Sequence, residues 1–344
     1  METNKGYGEA DLPLELWEAQ QAVESLRLQL RKARDERRLR VPIPDVLYHY
    51  TSLSGMHGMF STFKMWLSDA AYMNDPLEGT WVHRRASLLT REVLGESPLA
   101  TQTQIQIDAQ LEAPDPWDER LRSPHGPEQL RFAALEDAFR PAFIASFTED
   151  GDLLSQWRGY GAGGDGVSIG FNLNDLTFSG IPGVFADETH SPEVIRVQYG
   201  PKEQDREIIE VLEAAKAVYE SHERALSPNG DASRRFVQLF APVIRDALFW
   251  LRWEHKSPYY AEEREWRIVI TPIGLRYTTR VANGHIVPYL EMPLPQTASK
   301  PLNRLSIPKI VLGPRCPPSA VRSIRNMLQN VAYPSVVKSN LSLR

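Results

Sequence analysis

Residues 46–52 read Val-Leu-Tyr-His-Tyr-Thr-Ser. β-branched and aromatic residues dominate 46–50, and the two hydroxyls follow just where an extended run gives way to a helical one at 53–60. In a strand the side chains alternate, so Tyr48 and Tyr50 face one way and His49 the other. Working outward from this strand, extended segments fall at 65–67, 142–147, 167–171, 194–199, 267–271, 276–282, 285–292 and 309–312, with a last short one near the end. Asn283-Gly284 between two of them is the strongest type I′ hairpin signal in the chain. Helical periodicity covers 80–94, a stretch running to 139, about 203–226, about 232–255 and 319–330. Strands grouped toward both ends with helices between them predict an α+β domain, with a mixed or antiparallel split sheet rather than a doubly wound one.

On the N-terminal side of the first strand, 1–40 reads as a helical arm. Leu16, Val23 and Leu30 recur every seven residues, and Ala19, Leu26 and Ala33 interleave with them. That seam suits either a short coiled coil, giving a homodimer through 12–40, or packing on the arm's own domain. Glutamates lie early and arginines late, which complements the helix dipole. Pro42 and Pro44 close the arm, leaving 41–344 as one domain with helical insertions at about 80–140 and 203–256. The long loop at 113–127 is a lid or an insertion.

Composition narrows the function. The chain has 344 residues, 42% hydrophobic and 24% charged, with a formal net charge of -5, which argues against general attraction to nucleic acid. No apolar run nears the roughly 20 residues of a membrane span, and the first residues lack the apolar core of a signal peptide. The lone Cys316 excludes a disulfide framework and a CxxC zinc site. A reducing cytoplasmic compartment is the expectation.

Four polar-aromatic clusters carry the candidate chemistry. His49, beside Thr51 and Ser52 at a strand end, suits hydrogen bonding to a sugar hydroxyl or proton transfer. Asn74-Asp75-Pro76-Leu77-Glu78 reads mainly as a capped turn. Gln156-Trp157-Arg158-Gly159-Tyr160-Gly161 places Trp157 and Tyr160 three apart on a short helix, a face able to stack a planar ring, with Arg158 in reach of a phosphate. The glycines that follow do not fit a GxGxxG fingerprint. In Glu263-Arg264-Glu265-Trp266-Arg267, alternation sets Glu263, Glu265 and Arg267 on one face. Two carboxylates about 7 Å apart along a strand are able to divide catalytic duties.

Taken together and in this order, the clusters resemble a bacterial domain of unknown function (number 2971) across about 45–315, a family that implies no activity. A more distant likeness is to the His-Tyr-Glu ADP-ribosyltransferases. That resemblance implies NAD as substrate, held by His49 with Tyr50 and Thr51. Tyr160 or Trp157 stacks on nicotinamide, and Glu265, with Glu263 as the alternative, is the catalytic carboxylate. It implies no metal. The expectation is ADP-ribosyl transfer to an unknown protein or nucleic-acid acceptor, or NAD hydrolysis, in a defence or toxin-like setting. Two rivals remain: a metal-dependent nuclease or phosphoesterase using His49, Asp75, Glu78 and Glu265, and a non-enzymatic nucleotide-binding module.

Overall fold

The computed structural model describes residues 14–73, 80–111, 142–175, 192–227, 229–271, 278–282, 284–294, 305–329 and 332–342. The turn expected around Asp75 and Glu78, the loop expected at 113–127, the helix expected to run to 139 and Asn283 lie outside them. The chain divides into two compact units: 1–40, 77–139 and 198–258 form one, and 41–76, 140–197 and 259–344 the other.

The first unit is helical among its described residues. It comprises α1 (Leu14–Leu39), α3 (Thr80–Leu94), α4 (Pro98–Leu111), α6 (Pro201–Leu226) and α7 (Gly230–Glu254). The arm is therefore part of the same body as both helical insertions. Its seam of Leu16, Ala19, Val23 and Leu26 is buried with Leu212 and Ala215 of α6 and Phe240 and Ile244 of α7. A surface already covered within its own chain does not zip to a second copy, so the coiled-coil reading of 12–40 gives way to intrachain packing. The seam ends where the 3.6-residue turn drifts off the heptad. Ala33 is exposed and Arg34 is buried in its place, ion-paired with Glu254 and stacked 4.4 Å over the Trp250 ring.

The second unit is α+β, built on a ten-stranded mixed, open sheet. Its strands are β1 (Leu47–Thr51), β2 (Lys64–Asp69), β3 (Phe143–Thr148), β4 (Val167–Phe171), β5 (Glu193–Arg196), β6 (Glu265–Ile270), β7 (Thr278–Ala282), β8 (His285–Pro293), β9 (Lys309–Leu312) and β10 (Ser335–Lys338). Helices α2 (Leu53–Thr62), α5 (Leu154–Gly159) and α8 (Ala320–Leu328) complete it. All pairs are antiparallel except β9 with β10. The hairpin expected at 283–284 joins β7 and β8, with Ala282 opposite His285.

The sheet branches at β3. One edge of β3 pairs with β6 along its whole length. The other edge is shared: Thr148 pairs with Tyr48 of β1, while Phe143 and Ile144 pair with Asp69 and Ser68 of β2. β1 and β2 run in the same direction, joined by α2, and part from each other over Ala145 and Ser146. The helix is set by its ends. The Ser52 side chain accepts from the Gly55 N–H at 3.0 Å, and Phe63 closes the helix in a left-handed conformation, as helix termini require. Beneath the split, Leu47, Phe147, Phe171, Trp266 and Ile268 belong to one apolar core.

Candidate functional site

The opening between β1 and β2 is a cavity of about 1020 Å³, floored by Ile144, Ala145 and Ser146 and lined by β1, α2 and the β7–β8 hairpin. A smaller recess of about 60 Å³ adjoins it. The two share His49, Tyr50, Ser146 and Tyr160 in their linings, and the recess adds Gln156, Glu263 and Glu265. Tyr48, Thr148 and Glu265 lie in one cross-strand row. Successive strands are roughly 4.8 Å apart, which sets Tyr48 and Glu265 about 10 Å apart across β3. His49 is the next residue along, so its side chain leaves the opposite face of the sheet from Tyr48 and Glu265, and the recess is bordered from both sides.

The edge of β3 left open by the split explains the setting of His49. The Ser146 carbonyl is 3.0 Å from His49 Nδ1. A carbonyl only accepts, so Nδ1 carries the proton and Nε2 keeps its lone pair. Burial lowers the imidazole pKa, and the bond to Ser146 opposes this only partly. At neutral pH His49 is therefore an uncharged acceptor at Nε2, on a ring packed 5.7 Å from Phe147. Thr51, one step on, lines the larger cavity. The chain runs tight behind it: a Cβ on Gly166 would sit 2.3 Å from the Thr51 carbonyl oxygen.

Tyr50 and Trp157 do different work from that expected of them. Tyr50 faces away from His49, is buried, and meets Trp157 edge-on at 4.7 Å. Its hydroxyl donates to the Asp150 carbonyl at 3.0 Å and accepts from the Leu153 N–H at 2.8 Å. That clamp fixes the turn entering α5, and burial raises the phenol pKa. Trp157 has no exposed surface and donates from Nε1 to Asp152 at 2.8 Å, so it is core and does not stack on a ligand. The shared face expected for Trp157 and Tyr160 is lost because α5 ends at Gly159. Tyr160 already has non-helical φ/ψ of -127° and -21°. The residue is 40% exposed and lines both the cavity and the recess. Arg158 is exposed and lines neither.

The acidic cluster is also rearranged. Glu263 ends a 3-10 helix, and Arg264 turns into β6 with φ of +42°, a left-handed conformation uncommon for a residue with a side chain. An ion pair from Arg264 to Asp150 at 3.1 Å braces that turn. The expected alternation therefore holds only from Glu265 on. Glu263 joins the recess from outside the strand, not from a strand ladder. Glu265 accepts a fork from Arg267, Nε to Oε1 and Nη2 to Oε2, both at 2.9 Å. Glu265 is 4% exposed and Arg267 not at all. The fork fixes the plane of the carboxylate.

The site's other contributors carry no local signature. Arg280 of β7 donates from Nη2 to Ser68 Oγ at 2.9 Å and lies 5.2 Å from the Trp66 ring. Only the β2–β8–β7 register brings them together. Cys316 stands apart from the site. It is buried with its thiol against the Asp165 and Gly166 carbonyls, and burial raises its pKa.

Residues 156–268 match a protein family described as "Protein of unknown function (DUF2971)". The match is narrower than the resemblance over 45–315. It takes in Tyr160, Glu263 and Glu265 and stops short of His49. No curated protein and no solved structure matches the chain. Among the described residues, no helix is long and apolar enough to cross a membrane. Nor is any group of three or more His, Cys, Asp or Glu placed to hold a metal ion. Asp75 and Glu78 of the nuclease reading lie outside those residues.

Proposed function

We propose that the split between β1 and β2 binds NAD and cleaves its N-glycosidic bond, transferring ADP-ribose to an acceptor or to water. The observation that carries this reading is that His49, Tyr160 and Glu265 all line one recess, although 216 positions separate the first from the last. Nε2 of neutral His49 accepts from a ribose hydroxyl. The exposed Tyr160 ring stacks on nicotinamide. As the bond from C1′ to the ring nitrogen breaks, its electron pair leaves with nicotinamide, and an oxocarbenium-like centre develops at C1′. The carboxylate of Glu265 stabilises that cation more than the ground state, the condition for lowering a barrier. The acceptor oxygen or nitrogen, or water, then bonds to C1′ and gives up its proton to solvent. Thr51, at the end of β1, supplies a further hydroxyl to the nucleotide.

A binding module without turnover is favoured by one observation: both oxygens of Glu265 already meet Arg267. Nicotinamide release separates the two. The protein is incubated with NAD, with and without EDTA and with candidate protein and nucleic-acid acceptors, beside His49→Asn and Glu265→Gln. Metal-independent release lost in both variants supports glycosidic cleavage. Release unaffected by both sinks it. Thermal stabilisation by NAD with no release under any condition leaves the binding module.

A further inference from the structure

We propose that Arg280, braced by Ser68, is an anion subsite that receives the diphosphate of a dinucleotide whose ribosyl end lies at His49. The inference deepens the NAD reading and rests on it only for the identity of the ribosyl end. Its basis is the division of charge along the opening. The recess holds the two carboxylates, Glu263 and Glu265. Among the described residues, the larger cavity is lined by no Asp or Glu, and Arg280 is its one Lys or Arg. NAD has the matching polarity: a cationic nicotinamide ring and an anionic diphosphate.

Arg280 is also poised as a binder. Among the described residues it has no carboxylate partner. It is held by a neutral hydroxyl, the Ser68 Oγ at 2.9 Å, and by the faces of Trp66 and Tyr289 at 5.2 and 6.0 Å. Its Nε is buried without a hydrogen-bond partner. A guanidinium oriented but not neutralised is preorganised for a phosphate oxygen pair. The reach is suitable as well. Ser68 lies opposite Ile144, so Ser146, which anchors His49, is its diagonal neighbour. Such neighbours are roughly 7–8 Å apart before the strands part, comparable with the span from a nicotinamide ribose to the diphosphate.

The test measures binding of ADP-ribose and of nicotinamide riboside, which lacks phosphate, to the full chain and to Arg280→Ala and Arg280→Lys. The unfolding transition confirms that each variant is folded. Arg280→Ala is expected to weaken ADP-ribose by about 10- to 100-fold, the range of a charge-assisted hydrogen bond, and to leave nicotinamide riboside within about twofold. Arg280→Lys, which keeps the charge and loses the planar fork, falls between. No binding of ADP-ribose to the parent chain, equal binding by parent and Arg280→Ala, or a parallel loss of both ligands overturns the subsite. Arg280-dependent ADP-ribose binding without nicotinamide release from NAD keeps the subsite and ends the glycosidic reading. NAD cleavage whose KM ignores Arg280→Ala does the reverse.

Discussion

Glu265 and Arg267 should be strongly coupled in stability, and the coupling has to be known before any activity loss at Glu265 is interpreted. Both groups are nearly or wholly out of solvent and share two hydrogen bonds at 2.9 Å. Removing one member of such a pair strands a buried charge, which costs about 3–5 kcal/mol. Arg267→Met removes the guanidinium that both carboxylate oxygens meet and is expected at the upper end. Glu265→Gln keeps one oxygen able to accept from the guanidinium and is expected at the lower end. For a domain of about 150–250 residues each kcal/mol moves the midpoint by about 2–4 °C, so the single variants should melt about 6–20 °C lower. The double variant Glu265→Gln/Arg267→Met removes both charges and should recover part of that loss, with a coupling energy of about 2–3 kcal/mol. Denaturant unfolding followed by circular dichroism and tryptophan fluorescence measures all four proteins. Single losses below about 1 kcal/mol, or strict additivity, would refute the buried-pair reasoning. Nicotinamide release by the same four proteins then isolates the chemistry. The double variant regains stability but has no carboxylate, so it should stay inactive. Turnover in it would remove Glu265 from the reaction.

Three further outcomes are expected. His49 has a folded-state pKa below its ordinary 6.5, so the unfolded chain holds a proton that the folded one does not between that lowered value and 6.5. Stability should be flat in this contribution above pH 6.5 and fall as pH drops through the window. His49→Asn, which keeps a donor for the Ser146 carbonyl, should lose that slope, and an unchanged slope in pH-dependent denaturation counts against a neutral, half-buried imidazole. Leu26→Ala in the buried seam of α1 should cost about 2–5 kcal/mol and leave the sedimentation-derived mass unchanged; dissociation of a dimer on substitution would restore the coiled-coil reading. Gly166→Ala drives a Cβ to 2.3 Å from the Thr51 carbonyl and 2.8 Å from that of Gly161. Since backbone yields little, a loss of about 1–3 kcal/mol is expected, and a loss below about 0.5 kcal/mol would show that the β1–β4 end is not tightly set.

What sequence could reveal here follows the range of the interactions involved. The strand at 46–50, the helix at 53–60, the two long helices and the 285–292 strand each show their own period, and the structure places elements at all of them. The split sheet is a matter of register between β3 and two strands that share one of its edges, and no local pattern encodes that. Trp157 and Tyr160 looked equivalent because helical spacing alone relates them. One residue of fraying at the end of α5 sends the first into the core and the second to the cavity. Glu263 and Glu265 looked like a strand ladder because alternation assumes an extended Arg264, whereas its left-handed turn sets them on different elements. Arg280 lies in a stretch already readable as a strand, but nothing near it in sequence marks it. Its partners Ser68 and Trp66 come from β2, more than two hundred positions earlier. The α1 seam was visible, but an apolar stripe has the same period whichever partner covers it.

The split also bears on why a carboxylate held as firmly as Glu265 suits the proposed chemistry. Its fork to Arg267 occupies one direction on each oxygen, and a carboxylate has about four lone-pair sites. An acid whose plane is fixed before substrate arrives needs no reorganisation during the reaction, the main requirement for electrostatic stabilisation. The same logic applies across β3. With strand pairing interrupted over Ala145 and Ser146, the Ser146 carbonyl is satisfied by the His49 side chain instead of a neighbouring strand. The imidazole is thereby locked in the tautomer that leaves Nε2 an acceptor. A continuous sheet would close the cavity and hand Ser146 a backbone partner, so the irregular edge makes the opening and orients the histidine at once.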